Sequence, residues 1–337
     1  MTKESCVIVG AGGISNAWFP PLKAEKVEIR GVVDLDVGRA RDQCEKYEIE
    51  AEVSDDEAAF LRKMQPDFVV DLTVPEAHCK VVCTALKAGC HVIGEKPMAN
   101  SMAEARRMVR ASEQTGKMYM VSQSRRWIAR HEALNKMVTG RKVGELTALN
   151  CDFFMGCHFG GFRDEMDSPL ILDMSIHHFD LARYVSGVDP VAVYAHEFNP
   201  RGSWYAGDVS ASCIFEMTDG VVFTYRGSWC AEGLPTSWQG NWRITGDRGT
   251  ILYEQDQRPV TQVTAGKTGF NRKLKDLRPA KEGMKHEGMR GSLREMLAFL
   301  RTGKMPQTEC HDNIKSLAMV FGAMESSRKG RRVVLRP

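Results

Sequence analysis

The chain has 337 residues, 46 basic and 43 acidic, giving a formal charge of +3, with 43 % apolar and 26 % charged residues. That length and apolar content allow two domains with real cores, and the even, scattered charge argues against a nucleic-acid surface. No apolar run reaches membrane-spanning length, and the N-terminus lacks a signal-peptide pattern, so no membrane partner is expected. Ten cysteines form no C-x-x-C pair, and Cys6, Cys83 and Cys213 sit inside apolar stretches. They read as reduced packing residues of a cytoplasmic protein. Cys79 and Cys83, one helical turn apart beside His78, are expected to pack and not to hold a metal.

The first part alternates strand and helix. Apolar runs at Cys6–Gly10, Val27–Asp36, Asp67–Thr73, Cys90–Pro97 and Lys117–Ser122 read as strands, with a short one near Val53. Helix starts are marked by two S/T-x-x-E boxes, Ser54 to Glu57 and Ser101 to Glu104, and helix ends by Gly89 and Gly116. Repeated units of this size predict a doubly wound parallel sheet, assigned to residues 1–122.

Gly10, Gly12 and Gly13 follow the first strand and open a helix. That is the context of a dinucleotide fingerprint, whose third glycine is replaced here by Ser15. Such glycines let backbone N–H groups and a helix N-terminus meet a pyrophosphate. Asp34 ends the second strand, where a carboxylate accepts bonds from a ribose diol; the plainer reading is a surface aspartate after a strand. Its charge disfavours a 2′-phosphate, so NAD is expected over NADP. Arg39 and Arg41 nearby keep NADP open.

After Arg126 and Trp127 the pattern changes, and a second domain is assigned to residues 123–337. A helix is expected over Ile128–Thr139, followed by alternating strands within residues 145–154, 191–198, 208–217, 220–229 and 237–245, with Thr218-Asp219-Gly220 as a hairpin turn. This pattern predicts a mostly antiparallel sheet with one covered face. Gly266–Gly291 reads as a long loop, and helices are expected near Ser292–Leu300 and Ile314–Ser327.

Between strands lies Ile171–Tyr184, where Asp173, His177, Asp180 and Tyr184 recur at spacings of four, three and four. On an α-helix they share one stripe. Ser168 and Pro169 suit the helix start, and Gly187 its end. A satisfied buried network is the bland account. A cofactor fingerprint in the same chain favours catalysis for Asp173 and His177, while Asp180 and Tyr184 stay nearer the structural account and His178 points off the stripe. Oxidising an alcohol needs a positioned base, and histidine titrates near working pH. Lys96 ends a strand at the carboxyl edge of the sheet, where ligands bind in such folds. A cis Lys96–Pro97 bond is open. Arg163 and His158 precede the helix in a loop suited to hydroxyl or phosphate contacts. Trp127, Trp204, Trp229 and Trp238 offer flat faces, with core packing the commoner role.

The stretches "GAGGIS", "TVPEAHCKVVCTALKAGCHVIGEKPMA" and "LILDMSIHHFDLARYVSG" occur in this order and resemble the Gfo/Idh/MocA family (glucose–fructose oxidoreductase, inositol dehydrogenase and rhizopine-catabolism proteins). The resemblance covers essentially the whole chain. It implies a Rossmann domain, then an α/β domain with a large, mostly antiparallel sheet, and NAD(P)-dependent oxidation or reduction of sugars, polyols or their derivatives. It implies Lys96, Asp173 and His177 as the catalytic set. The expected cofactor contacts are Gly10, Gly12, Gly13, Ile14, Asp34, Thr73, Pro75, His78, Glu95 and Lys96, with Glu95 either touching the cofactor or holding Lys96. Substrate contacts are expected at Arg126, Arg163, His158, Asp173 and His177. Arg126 matches a family arginine near the substrate, with pairing to an acid as its structural alternative. The family's glycine run before the helix reads Asp167-Ser168-Pro169 here, which alters the substrate-side loop. An NAD-dependent glycosidase without net redox change and a non-catalytic ligand sensor are the alternatives. A homodimer or homotetramer through the second-domain sheet is expected.

Overall fold

The computed structural model of the chain describes residues 3–337; residues 1–2 of the first expected domain lie outside them. The contacts divide into two units. The first takes residues up to Trp127 together with His286–Leu317 and Pro337, and the second takes Ile128–Lys285 and Ala318–Arg336. Among the described residues no helix is long and apolar enough to cross a membrane, and all ten cysteines are unbridged.

In the first unit, β1 (Ser5–Val9), β2 (Glu28–Val33), β3 (Glu52–Ser54), β4 (Phe68–Asp71), β5 (His91–Gly94) and β6 (Tyr119–Val121) form one sheet in the order β3-β2-β1-β4-β5-β6. Every pair is parallel. β1 and β4 are buried along their whole length, as continuous apolar runs require when helices cover both faces. The connecting helices are α1 (Phe19–Ala24), α2 (Val37–Lys46), α3 (Glu57–Met64), α4 (Pro75–Lys87) and α5 (Met102–Thr115). The strand order reverses between β1 and β4, the place where open parallel sheets bind ligands.

The caps differ from expectation in one case. Ser101 caps α5 by accepting from the Glu104 N–H at 3.2 Å, as its box predicts. α3, however, is capped by Asp56, which accepts from Ala59 N–H at 3.0 Å. Ser54 instead accepts from Asp56 N–H, so the helix starts later than the Ser54 box implied. Both residue types cap well, and the one nearer the helix prevails.

The glycine turn also departs from expectation. It leads into a 3₁₀ turn, Gly13–Ala17, and then the six-residue α1. Pro20 and Pro21 lack N–H donors and fit only a first turn, so the α-helix must restart beside them. Gly10 has φ +98°, and a Cβ there would stand 2.7 Å from the Leu72 backbone. A Cβ on Gly12 or Gly13 would meet nothing within 4 Å.

The second unit contains α6 (Ala129–Thr139), β7 (Leu146–Phe154), α7 (Ile176–Ser186), β8 (Pro190–Phe198), β9 (Ser210–Met217), β10 (Val222–Ser228), β11 (Asn241–Gly246), β12 (Gly249–Tyr253), β13 (Val260–Thr264) and β14 (Leu274–Leu277). After α8 (Gly288–Thr302), in the first unit, α9 (Cys310–Lys329) contributes to both units, and β15 (Val333–Val334) returns to the second. The nine strands run β14-β13-β12-β11-β7-β10-β9-β8-β15. β7 and β10 are parallel; the other pairs are antiparallel. The hairpin at Asp219 and Gly220 uses φ +58° and +71°, two positive values suited to strand twist. The expected long loop from Gly266 holds β14, which pairs with β13; its mostly exposed residues carry no apolar alternation to reveal it.

One face of the second sheet carries Phe153, Phe215, Phe223 and Trp242, each at most 2 % exposed, with Phe179 of α7 4.8 Å from Phe215. Full burial of such a side chain contributes roughly 1.5–3 kcal/mol. On the opposite parity, Tyr194 and Ile214 remain 49 % and 50 % exposed.

The glycine turn yields a stability test. Gly10→Ala forces a side chain into left-handed backbone and against Leu72, and should destabilise the protein by about 1–3 kcal/mol. Gly12→Ala should fall within about 1 kcal/mol of the parent. Urea unfolding of both variants measures the difference; equal midpoints would remove the special requirement at Gly10.

Candidate active site

The first unit holds a cavity of about 820 Å³ at the switch point, walled by Gly10, Gly12, Asp34 and Thr73 among others. Asp34 ends β2 with its side chain 10 % exposed. Its Oδ2 accepts from Ala11 N–H at 2.7 Å and its Oδ1 from Asp36 N–H at 2.9 Å, which ties the strand end to the glycine turn. Arg39 lies 3.8 Å from Asp34 and 3.7 Å from Asp36, so its charge is shared by two carboxylates. Asp55, Asp56 and Glu57 line the same cavity. A 2′-phosphate meets a surplus of negative charge there, whereas a free diol meets an acceptor. The open backbone at Gly12 and Gly13, the carboxylate at Asp34 and the cavity between them fit a dinucleotide carrying an unphosphorylated ribose.

Next to this cavity, β4 and β5 end in buried polar groups. Asp71 Oδ1 accepts from Thr73 N–H at 3.1 Å and from Thr73 Oγ1 at 2.6 Å, and Oδ2 lies 2.7 Å from His78 Nδ1. His78 is 1 % exposed, so it braces Asp71 and Thr73 from beneath and offers no open surface to a cofactor. Burial pulls its imidazole down, but Asp71, with Glu95 and Glu76, outweighs that and holds it above the ordinary histidine value. Glu95 is 5 % exposed. Its Oε1 accepts from Trp18 Nε1 at 2.8 Å and its Oε2 from Lys96 N–H at 3.2 Å. Burial raises its pKa against the opposing pull of Trp18 and Lys96. These contacts support the holding role for Glu95. Lys96 is half-buried and follows β5, and the Lys96–Pro97 bond is cis. Ile14 is 39 % exposed on the glycine turn and Pro75 opens α4; neither walls the cavity.

Arg126 is turned inward. It is 5 % exposed, and it donates to Gln307 O and Asp312 Oδ2, both at 2.9 Å. Its partners lie in its own unit, as the acid-pairing alternative required.

In the second unit the expected uniform α-helix is broken. Leu170–Ser175 is a π-helical turn, and α7 begins only at Ile176. Ser175 Oγ donates to Leu170 O, five residues back, at 3.0 Å. The wider turn takes Asp173 off the α-helical stripe; such turns are frequent at functional sites. Asp173 and His177 are each partly exposed, whereas Asp180 is 1 % exposed, with Arg183 3.9 Å away. His178 is fully buried among Phe153, Tyr225 and Trp242.

Asp173 Oδ2 accepts from Arg163 Nε at 2.7 Å. The Arg163 guanidinium lies over the Phe159 and Phe162 rings, 5.1 and 4.7 Å from their centres, where the π faces favour a cation. His158 Nε2 stands 2.8 Å from Glu232 Oε1, and its ring stacks on Trp204 with centroids 3.7 Å apart. Trp127 and Trp229 are core, at 4 % and 2 % exposed, but Trp238 is 41 % exposed beside Phe159. Asp173, His177, Arg163 and His158 therefore lie in the second unit, and Lys96 and the glycine turn in the first.

Two features went unread in the sequence. Glu57 walls the cavity with Oε1 buried and without a hydrogen bond. The spacing rule that picks out Glu57, as the glutamate of the Ser54 box, gives it a capping role and no place in a cavity wall. Glu309, Cys310 and His311 form the one group among the described residues that has metal-ligating geometry. His311 there bridges Glu309 and Glu113, which already use its ring nitrogens.

Residues 5–123 match the model of an oxidoreductase family with an NAD-binding Rossmann fold, and residues 131–252 match the GFO/IDH/MocA C-terminal domain. An uncharacterized protein, y4oX, of Sinorhizobium fredii is 28 % identical over 96 % of this chain and 94 % of its own. D-apiose dehydrogenase of Paraburkholderia graminis is 28 % identical over 98 % of this chain and 89 % of its own. An oxidoreductase of Agrobacterium radiobacter, solved with NAD+, L-tartaric acid and magnesium, shares the fold at TM-score 0.85 and 24 % identity, covering 99 % of this chain and 98 % of that one. With both halves matched in order, the chain belongs to the Gfo/Idh/MocA family of NAD-binding oxidoreductases.

Proposed function

We propose that the chain is an NAD-dependent dehydrogenase that moves a hydride between the nicotinamide and a hydroxyl- or carbonyl-bearing carbon of a sugar, polyol or sugar derivative. The observation that carries this reading is the open glycine turn clamped to Asp34 in one cavity of a chain matching both family domains. The name of the D-apiose dehydrogenase relative supports a carbohydrate substrate.

When bound, NAD supplies the hydride acceptor. The chain must then handle the hydroxyl proton. His177 takes it, through a ring left partly accessible at the start of α7. Lys96, its partner in the catalytic set that the family resemblance implies, stabilises developing negative charge, with its backbone fixed by Glu95, itself held by Trp18. Asp173 orients the imidazole and is in turn oriented by Arg163. Arg163 and His158 bind substrate hydroxyls. Arg126, committed to Asp312 and Gln307, holds its own unit together and makes no substrate contact. Ten unbridged cysteines support a reducing, cytoplasmic setting. The face of the second sheet bearing Tyr194 and Ile214 is the proposed self-association surface.

Assays of NAD+ reduction across sugars, inositols and sugar acids test the activity directly. His177→Ala and Lys96→Ala should each cut turnover by about 10²–10⁴-fold while NAD affinity stays near the parent value. A folded His177→Ala variant with undiminished turnover would return His177 to a structural role, and the same result for Lys96→Ala would do so for Lys96. Asp34→Ser should weaken NAD and relatively improve NADP; an unaltered ratio of the two dissociation constants would remove Asp34 from cofactor choice. Ile214→Glu should lower the sedimenting mass without loss of fold, and an unchanged mass would locate association elsewhere.

A further inference from the structure

The loop that carries His158 and Arg163 is held at both ends by one segment, the connection between β8 and β9. At the first end, Trp204 Nε1 donates to Cys157 O at 3.1 Å, and the Tyr205 hydroxyl donates to the same oxygen. The Trp204 ring also stacks on His158. At the second end, Ala206 N–H donates to Asp164 O and Asp208 N–H to Asp167 O, both at 2.7 Å. The connection is closed on itself by Asn199, whose Nδ2 donates to Tyr205 O at 2.8 Å and to Ala206 O at 3.3 Å. Every one of these residues belongs to the second unit.

Gly207 stands between the two backbone donors of the second end. A Cβ on it would run into the carbonyls of Met166 and Asp167. Its backbone is not left-handed, so the need for glycine there is one of space alone. Two routes lead from this close approach to the same carboxylate. Arg163, next to Asp164, donates to Asp173 Oδ2 at 2.7 Å. Ser168, next to Asp167, accepts the Leu172 N–H at 3.1 Å and so opens the π-helical turn that carries Asp173. The Arg163 and Asp173 side chains are 33 % and 16 % exposed. An ion pair left partly in solvent holds a loop only weakly, whereas backbone bonds in close packing fix it without ordering long side chains.

We propose that Gly207 is a positioning residue of the reaction: it lets the β8–β9 connection lie against the loop, and through Arg163 and the π-helical turn it sets where the Asp173 carboxylate stands. This rests on the dehydrogenase reading above and deepens it. A misplacement of about 1 Å in such a group costs on the order of 10²-fold in rate.

The test uses Gly207→Ala and Tyr205→Phe, each alone and combined with Asp173→Asn. NAD+ reduction is measured with whichever sugar, inositol or sugar acid the wild type oxidises fastest. Gly207→Ala should lower kcat about 30-fold or more, with KM changing less than about fivefold. NAD+ affinity by calorimetry should stay within about twofold, since the cofactor cavity lies in the first unit. In the Asp173→Asn background the same change should cost no more than about threefold further, because the group it positions is already impaired. Tyr205→Phe keeps its ring and loses only the bond to Cys157, and should show the same pattern at about fivefold. It carries the test should Gly207→Ala fail to fold. Trypsin should cleave after Arg163 about tenfold faster or more in Gly207→Ala than in the wild type, well below the melting temperature. Folded variants with wild-type kcat, even if they melt earlier, make Gly207 a packing residue and overturn the assignment. An equal loss with and without Asp173→Asn also overturns it; both results leave the dehydrogenase reading intact. A wild type that reduces NAD+ with none of the compounds overturns both.

Discussion

A carboxylate at the end of a buried parallel strand must find donors, and the first unit is organised around meeting that requirement three times. Asp34 after β2 takes the N–H groups of Ala11 and Asp36. Asp71 at the end of β4 takes Thr73 and His78. Glu95 after β5 takes Trp18 and Lys96. One donor of each set belongs to a segment that the proposed chemistry uses: Ala11 of the glycine turn, Thr73 of the β4–α4 loop, and Lys96. An unpaired buried charge would cost several kcal/mol, so these pairings fix loop positions that local propensity alone would leave free. The same constraint makes Glu57 stand out, since it is a wall carboxylate whose buried oxygen has no such donor.

The second unit solves a different problem. Its large sheet buries one face under α6 and α7, and the residues with chemistry are carried by what connects the strands. A π-helical turn before α7 sets Asp173 apart from the regular helix, and Arg163, steadied over two phenylalanine rings, reaches it from the preceding loop. The aromatic residues split between two tasks. Trp229 and Trp242 are packed away, Trp204 is half-buried in its stack on His158, and Trp238 stays exposed.

Most of the fold was legible because it is written in local patterns. Buried strands between capped helices announce a parallel sheet, and alternation announces an antiparallel one. The glycine turn and Asp34 were readable for the same reason, their spacing being a local consequence of one strand–turn–helix unit. What escaped reading depends on distant partners or on near-equivalent local choices. Arg126 finds Asp312, 186 positions away, and so becomes structural. Asp56 and Ser54 are both good caps, and geometry chose between them. The stripe on Ile171–Tyr184 assumed one helical period, but the chain changes period at Ser175, a change no residue type signals. β14 has no alternating apolar face, so only its partner β13 defines it.

The parallel pairing of β7 with β10 bears on how the second unit is made. β7 is the first strand of its sheet in the chain, yet both of its neighbours, β10 and β11, begin only at Val222 and Asn241. A chain emerging from synthesis therefore carries β7 with both edges unpaired while α7, β8 and β9 are completed. β8 and β9 pair with each other and do not cover it. Non-local pairings of this kind slow folding, and an open strand edge is a template for association with other chains. The asparagine, aspartate and threonine interspersed along β7, Thr147, Asn150 and Asp152, keep that waiting edge from being a continuous apolar ribbon. The strand placed at the centre of the finished sheet is thus the one whose polar residues matter most before the sheet exists.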